Sequence, residues 1–168
     1  LVTRLETHAG ALVALKIDGV AADGPAAKAV ARLLSRVRDV TIVRARLDDA
    51  SVSELAAAAA GSRTLQHVSL SHNEFGDAGA AAMAGVLSAT QPARIKSLSV
   101  RGCGNVTREG VRELLRAART SCSLTDLDLR DVVDEGRNYE ARKFWKQELA
   151  RIVDRSVMEL RVRFSWPM

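Results

Sequence analysis

Cysteine, proline and aromatic residues are scarce in this 168-residue chain, and long apolar runs are missing altogether. Only two cysteines occur, Cys103 and Cys122, so the even, densely spaced framework of a disulfide-stapled secreted domain is excluded. Both are expected as buried free thiols in a reducing compartment, with no bond between them. No apolar stretch approaches the roughly 20 residues that a spanning helix needs, so membrane insertion is not expected. Two tryptophans, one tyrosine and three phenylalanines are too few for one large aromatic core; Leu, Val and Ala must fill the interior instead. There is no glycine-rich phosphate loop followed by Lys-Ser/Thr, no H-E-x-x-H, no paired C-x-x-C and no G-x-S-x-G. The expectation is a non-enzyme with no cofactor and no metal.

What is present is a recurring spacing. In "LQHVSLSHNEF" the residues Leu65, Val68, Leu70, Asn73 and Phe75 stand at offsets 0, 3, 5, 8 and 10. A single strand would alternate strictly, and this run does not. The pattern returns from Leu12, Val40, Ile95, Leu124 and Val157, so successive starts are separated by 28, 25, 30, 29 and 33 residues. Between these starts the apolar period changes to that of a helix. Ala27, Val30, Ala31 and Leu34 form one stripe, Ala80, Met83, Ala84 and Leu87 a second, and Val111, Leu114, Leu115 and Ala118 a third. Pro25 suits a first helical turn, Asp77 and Thr107 suit N-caps, and the alanine-rich run from Ala56 to Ala60 reads as a short helix of two or three turns.

Offsets of this kind, closed by Asn or Cys, resemble the leucine-rich-repeat signature, and unit lengths near 28 with a helix in each resemble its ribonuclease-inhibitor-like class. The resemblance implies an α/β fold: a right-handed solenoid of about six strand–helix units, with a curved parallel sheet on the concave side and helices on the convex side. Residues 1–11 are expected to be the end of a preceding repeat helix, 12–133 the repeats, and 134–168 an irregular C-terminal capping repeat closed by Trp145 and neighbouring aromatics. The chain is read as part of something longer or of a hetero-complex.

In such a solenoid, residues at one offset form rows across the sheet. Counted from those starts, offset 6 gives Asp18, Arg46, Ser71, Arg101, Arg130 and Arg163; offset 4 gives Lys16, Arg44, Ser69, Ser99, Asp128 and Arg161; offset 2 gives Ala14, Ile42, His67, Ser97, Asp126 and Glu159. Like charges in adjacent strands repel by some tenths of a kcal/mol per pair, so an arginine row asks for carboxylates. Either Asp126, Asp128 and Glu159 supply them, or an acidic segment of a partner does. The candidate partner-binding set is therefore Arg44, Arg46, His67, Ser69, Ser71, Arg101, Asp126, Asp128, Arg130, Glu159, Arg161 and Arg163. His67 and His72 lack a third metal ligand and read as solvated polar side chains.

The resemblance implies a non-catalytic protein-interaction module, a scaffold or subunit of a larger assembly that binds through its concave face. The net charge of +5 raises RNA as the alternative target, but no aromatics interleave with the basic residues of the groove as a stacking platform requires. A GTPase-activating module is the weakest alternative, since none of that family's functional residues can be matched here. A cytoplasmic or cytoskeletal setting is expected, with a mitochondrial one as the alternative.

Overall fold

The structure is a computed structural model that describes residues 4–8, 11–22, 24–88, 94–132, 147 and 161–163, with side chains from Val13 onward. In chain order the elements are β1 (Arg4–His8), β2 (Ala11–Asp18), α1 (Pro25–Leu33), β3 (Asp39–Val43), α2 (Asp49–Ala60), β4 (His67–Ser69), α3 (Asp77–Ser88), β5 (Ser97–Ser99), α4 (Arg108–Thr120), β6 (Asp126–Asp128) and β7 (Arg161–Arg163). All seven strands lie in one sheet in sequence order. The strands from β2 to β7 run parallel, each reached from the last through a crossover, and only β1 is antiparallel. This is the α/β repeat solenoid that the spacing predicts.

Residues 4–8 correct one expectation. They form a strand and not the end of a helix. Leu1 and Leu5 do lie one helical turn apart, but Leu5 pairs opposite Leu15 and the segment covers the otherwise open edge of β2. The expected cap over 134–168 lies almost wholly outside the described residues, as does Glu159.

The repeat frame can be read from the backbone. Gly19, Arg44, His72, Gly102 and Asp131 all have positive φ, between 52° and 67°. Their amides also bond alike: Gly19 N–H donates to Val43 O, Arg44 to Ser71 O, His72 to Arg101 O and Gly102 to Arg130 O, at 2.7–3.3 Å. A left-handed residue at this position turns the chain beneath the sheet, in four of the five with its N–H tied to the next unit, and Arg46 (φ 53°) is a second left-handed residue in the loop after β3. In units starting at 12, 65, 95 and 124 the turn residue is at offset 7. For Arg44 to share the offset, the second unit must start at Val37, not Val40. Strand pairing agrees, with Val40 opposite both Leu15 and Val68. The run Val37–Val43 fits two frames three residues apart, and burial selects the earlier, because Val37, Val40, Ile42, Ala45 and Leu47 are all at most 3% exposed. The last unit also shifts: Val162 lies opposite Leu127, two residues from the expected register.

The core is one continuous apolar slab. Leu15, Ile17, Val68, Leu70, Leu98, Val100, Leu127 and Leu129 are buried on the strand side, and the α3 and α4 stripes meet them. Leu12 and Leu160 fall outside the described side chains. The small Ala-rich faces of α2 and α3 let neighbouring helices approach closely. α2 runs for 12 residues, about three turns, from an N-cap at Asp48 whose side chain accepts from Ser51 N at 2.8 Å.

Helix starts are also tied across units. Asp77 is the first residue of α3, not its N-cap, and its Oδ1 accepts from Thr107 N (2.7 Å) and Gly110 N (3.1 Å) at the start of α4. Asp49 does the same one unit earlier for Gly76 N and Gly79 N. Each acid thus satisfies amides that the next helix leaves unpaired. A Cβ on Gly79 would stand 2.9 Å from Asp49 Oδ1, and one on Gly110 would overlap Asp77 Oδ1 and crowd Val106.

Candidate functional site

Helices and apolar strand positions occupy one side of the sheet. The other side carries the polar positions of each strand, and these set the candidate site. With the frame corrected by the pairing, one row reads Ala14, Asp39, His67, Ser97, Asp126, Arg161 and the next Lys16, Thr41, Ser69, Ser99, Asp128, Arg163. A third, at the strand ends, runs Asp18, Val43, Ser71, Arg101, Arg130 by the equivalent backbone bonds.

The expected row of four arginines is therefore not formed. Arg101 and Arg130 are neighbours at equivalent positions, as the spacing predicts, but Arg46 lies in the loop beyond β3 and Arg163 sits two residues earlier in register, opposite Asp128. Arg44 leaves the middle row for the left-handed turn position, and Ile42 leaves the surface for the core. Arg161 moves to the row of Asp126.

The arginines of this face are mostly neutralised from within. Arg130 clasps Asp128 bidentately, Nε to Oδ1 at 2.8 Å and Nη2 to Oδ2 at 2.6 Å. Arg163 reaches Asp126 at 2.7 Å, Arg101 reaches Asp131 at 3.0 Å and Arg44 reaches Asp18 at 2.7 Å. Asp128 is the one deeply placed carboxylate, with its side chain 10% exposed. Its burial opposes ionisation, but hydrogen bonds from the Arg130 side chain and backbone, with the charges of Arg130 and Arg163, outweigh that and hold its carboxyl below the ordinary value. Exposed pairs such as Arg101–Asp131 stabilise the fold by at most about 1 kcal/mol; what they fix is side-chain direction.

Between the charged ends lies a low, hydroxyl-bearing centre. Ser71 Oγ is 3.0 Å from Ser69 Oγ and 2.9 Å from Ser99 Oγ, a short chain of hydroxyls across two strands. His67 Nε2 stands 4.0 Å from Asp39 Oδ1. Among the described residues Arg46 and Arg161 are exposed without a carboxylate partner, and no cluster of three His, Cys, Asp or Glu could hold a metal ion. Asp39 and Asp131, which with Asp18 complete the electrostatics, are absent from the rows read from the sequence. Asp131 was detectable, since it occupies the turn offset of its unit just as Asn, Asp and Gly favour left-handed backbone.

Both cysteines are free, but only Cys103 is buried; Cys122 is exposed, in the turn between α4 and β6.

Comparison with known proteins gives the same architecture. A family model described as a leucine-rich repeat matches residues 61–84. The human protein named "NACHT, LRR and PYD domains-containing protein 7" is 34% identical over 90 residues; the match takes in 54% of this chain and 9% of that protein's length. Among solved structures, the tropomodulin C-terminal domain from Caenorhabditis elegans superposes with a TM-score of 0.69 at 18% identity, covering 84% of each chain. A structure titled as leiomodin-1 actin-binding site 2 superposes with a TM-score of 0.56 at 16% identity over 83% of this chain and 80% of that one.

Proposed function

Taking as its premise that the chain is a leucine-rich-repeat protein, we propose that it is a non-catalytic interaction module whose outer strand face receives an acidic segment of a partner protein. The observation that carries this reading is the uncovered parallel sheet. Parallel sheets in most α/β proteins are packed on both faces, whereas here the strands alternate buried and half-exposed positions and present Thr41, Ser69, Ser97 and Ser99 outward. A surface that is flat, polar and low at its centre lets a partner's backbone come close.

Charge sets the chemistry of the occupant. The internal ion pairs hold the guanidinium planes of Arg101 and Arg130 in place before binding, which reduces the ordering cost when a partner carboxylate joins them. Arg46, in the loop beyond β3, and Arg161, in β7, add further exposed cationic groups. His67, Ser69 and Ser71 offer adaptable hydrogen bonds between them, and Asp126 and Asp128 fix polarity. The leiomodin-1 likeness makes actin the first partner to try, within a cytoskeletal setting, and a generic RNA is the competing ligand.

The test uses Arg46→Glu combined with Arg161→Glu, which reverses charge without breaking an ion pair. Cosedimentation with actin, and affinity capture from the native source, should weaken by about tenfold relative to the native chain. Arg112→Glu with Arg116→Glu on the helix side should leave that capture intact. If the helix pair abolishes association and the strand-face pair does not, the reading fails. Binding to RNA that falls steeply with salt, with no protein partner recovered, would replace it with the ribonucleoprotein alternative.

A further inference from the structure

A second surface lies on the opposite side of the molecule. Between α3 and α4 runs an open groove of ≈ 750 Å³. One wall is made of Ala81, Gly85 and Ser88, all exposed and all small; the other carries Arg112, Arg116 and Arg119. The two helices differ sharply in charge. After Asp77, α3 has no ionisable residue through Ser88, although its outer face is in solvent, whereas α4 presents an arginine on each successive turn. Arg112 and Arg116 pair with Glu109 and Glu113 three residues earlier, and Arg119 in the last turn has no carboxylate partner among the described residues.

We propose that this groove is a docking site for an acidic helical segment of a partner protein, distinct from the strand face and independent of it. Small residues on one wall fix the shape of the occupant. With nothing on this wall larger than serine, α3 allows a third helix to approach at about 8 Å, the near end of the packing range, and to rest in the notch between α3 and α4. The arginine wall fixes its chemistry: carboxylates one turn apart on the incoming helix meet Arg112, Arg116 and Arg119 at matching spacing, and exchange with or add to Glu109 and Glu113. Burying the exposed Ala81 and Gly85 of the α3 wall supplies the apolar part of the interface that the strand face, lined with hydroxyls and charges, lacks.

The probe is a displayed library of helical peptides with randomised outward positions, selected against the full chain. Recovered peptides are expected to carry two or more Glu or Asp at i, i+3, i+4 or i+7 on one face and small residues beside them. Gly85→Leu should weaken them about tenfold or more, since an added Cβ meets nothing beyond its own helix within 4 Å and the longer side chain is free to obstruct the α3 wall. Arg116→Gln with Arg119→Gln should weaken them roughly three- to tenfold and flatten the salt dependence. Arg46→Glu with Arg161→Glu should change them less than about twofold, so this site and the strand face fail separately. If Gly85→Leu lowers the thermal midpoint, Ser88→Trp at the last residue of α3 gives the same block away from the helix interior. Selection of peptides with no acidic enrichment, recovery of none, or binders that survive both blocking variants would overturn the proposal.

Discussion

The third and fourth repeats stitch themselves to their predecessors at the same offset with different atoms. In the third, Asn73 is 4% exposed and its amide is used at both ends: Nδ2 donates to Ile42 O and Leu70 O at 2.8 Å, while Oδ1 accepts from Ala45 N at 2.9 Å and Leu47 N at 3.3 Å. In the fourth, the fully buried Cys103 donates its thiol to Leu70 O at 3.2 Å. Ile42 and Leu70 occupy one offset in successive units, so the bond to the preceding strand end is conserved in geometry. What differs is how much of the loop it holds. The asparagine gathers the loop of the second repeat onto itself, and the cysteine fills space and makes only weak contacts, to Leu70 O and, at 3.9 Å, to Arg101 O. The repeat position needs a small group that donates inward; how many further bonds it makes depends on which amides the previous loop leaves open.

The largest expected effects come from the slab that both repeats share. Leu98→Ala should destabilise by about 2 to 5 kcal/mol, because Leu98 is fully buried and neighbouring strands hold its cavity open. Val68→Ala, one unit earlier at the same offset and 6% exposed, should cost about half as much. Urea denaturation of both variants measures the difference, and equal losses would show that the two units are not packed alike. Next comes Asn73→Ala. It orphans Ala45 N, Leu47 N and Ile42 O together, so a loss of about 2 to 4 kcal/mol is expected, against about 1 kcal/mol for Cys103→Ala at neutral pH. A reversal of that order would break the comparison.

Glycine positions sharpen it further. Gly110→Ala places a methyl on top of Asp77 Oδ1 and against Val106, so it should cost about 1 to 3 kcal/mol. Gly79→Ala, pressed at 2.9 Å by Asp49 Oδ1 and Phe75, should cost somewhat less. Combining Asp77→Ala with Gly110→Ala relieves the overlap, and a double-mutant cycle with no coupling between the two would argue against the inter-repeat cap.

Much of this was legible in the sequence wherever the motif had one frame. Units from Leu65, Ile95 and Leu124 carry Asn or Cys, or a clear apolar run, and their core, helices and the Arg101–Arg130 adjacency follow directly. Where valines crowd, as at Val37–Val43, the offsets fit twice, and only the left-handed turn and the loop hydrogen bonds choose. The rows then shift by three residues in the second unit and two in the last, which is why Arg44, Arg46, Arg161 and Arg163 moved. Ion pairing across units was harder still. Arg101 meets Asp131 and Arg44 meets Asp18 through turn residues, whose directions depend on φ and not on apolar period. The α3–α4 groove left no apolar signature, because alanine reads alike on a buried and an exposed helix face.

The effect seen only above pH 9 is also the most specific to one repeat. Burial pushes the Cys103 thiol up to about 11, although the backbone N–H groups of Asn73 and His72 pull the other way. An unfolded chain releases that proton near pH 9, while the folded chain keeps it until about 11. Across this window the unfolded state binds fewer protons than the native state, so the contribution is fully present below about pH 9 and is lost progressively as pH rises toward 11. The loss should total roughly 1 to 3 kcal/mol, less whatever the native state recovers by relaxing around the thiolate. Asn73 does not titrate, so the third repeat contributes no such slope. Urea melts at pH 8, 9.5 and 11 in the presence of a reductant, compared between the native chain and Cys103→Ala, isolate the difference, since the two chains share every other titratable group. The native chain should lose stability faster than the variant above pH 9, and parallel curves would mean that the thiol is not held in a dry, closed loop.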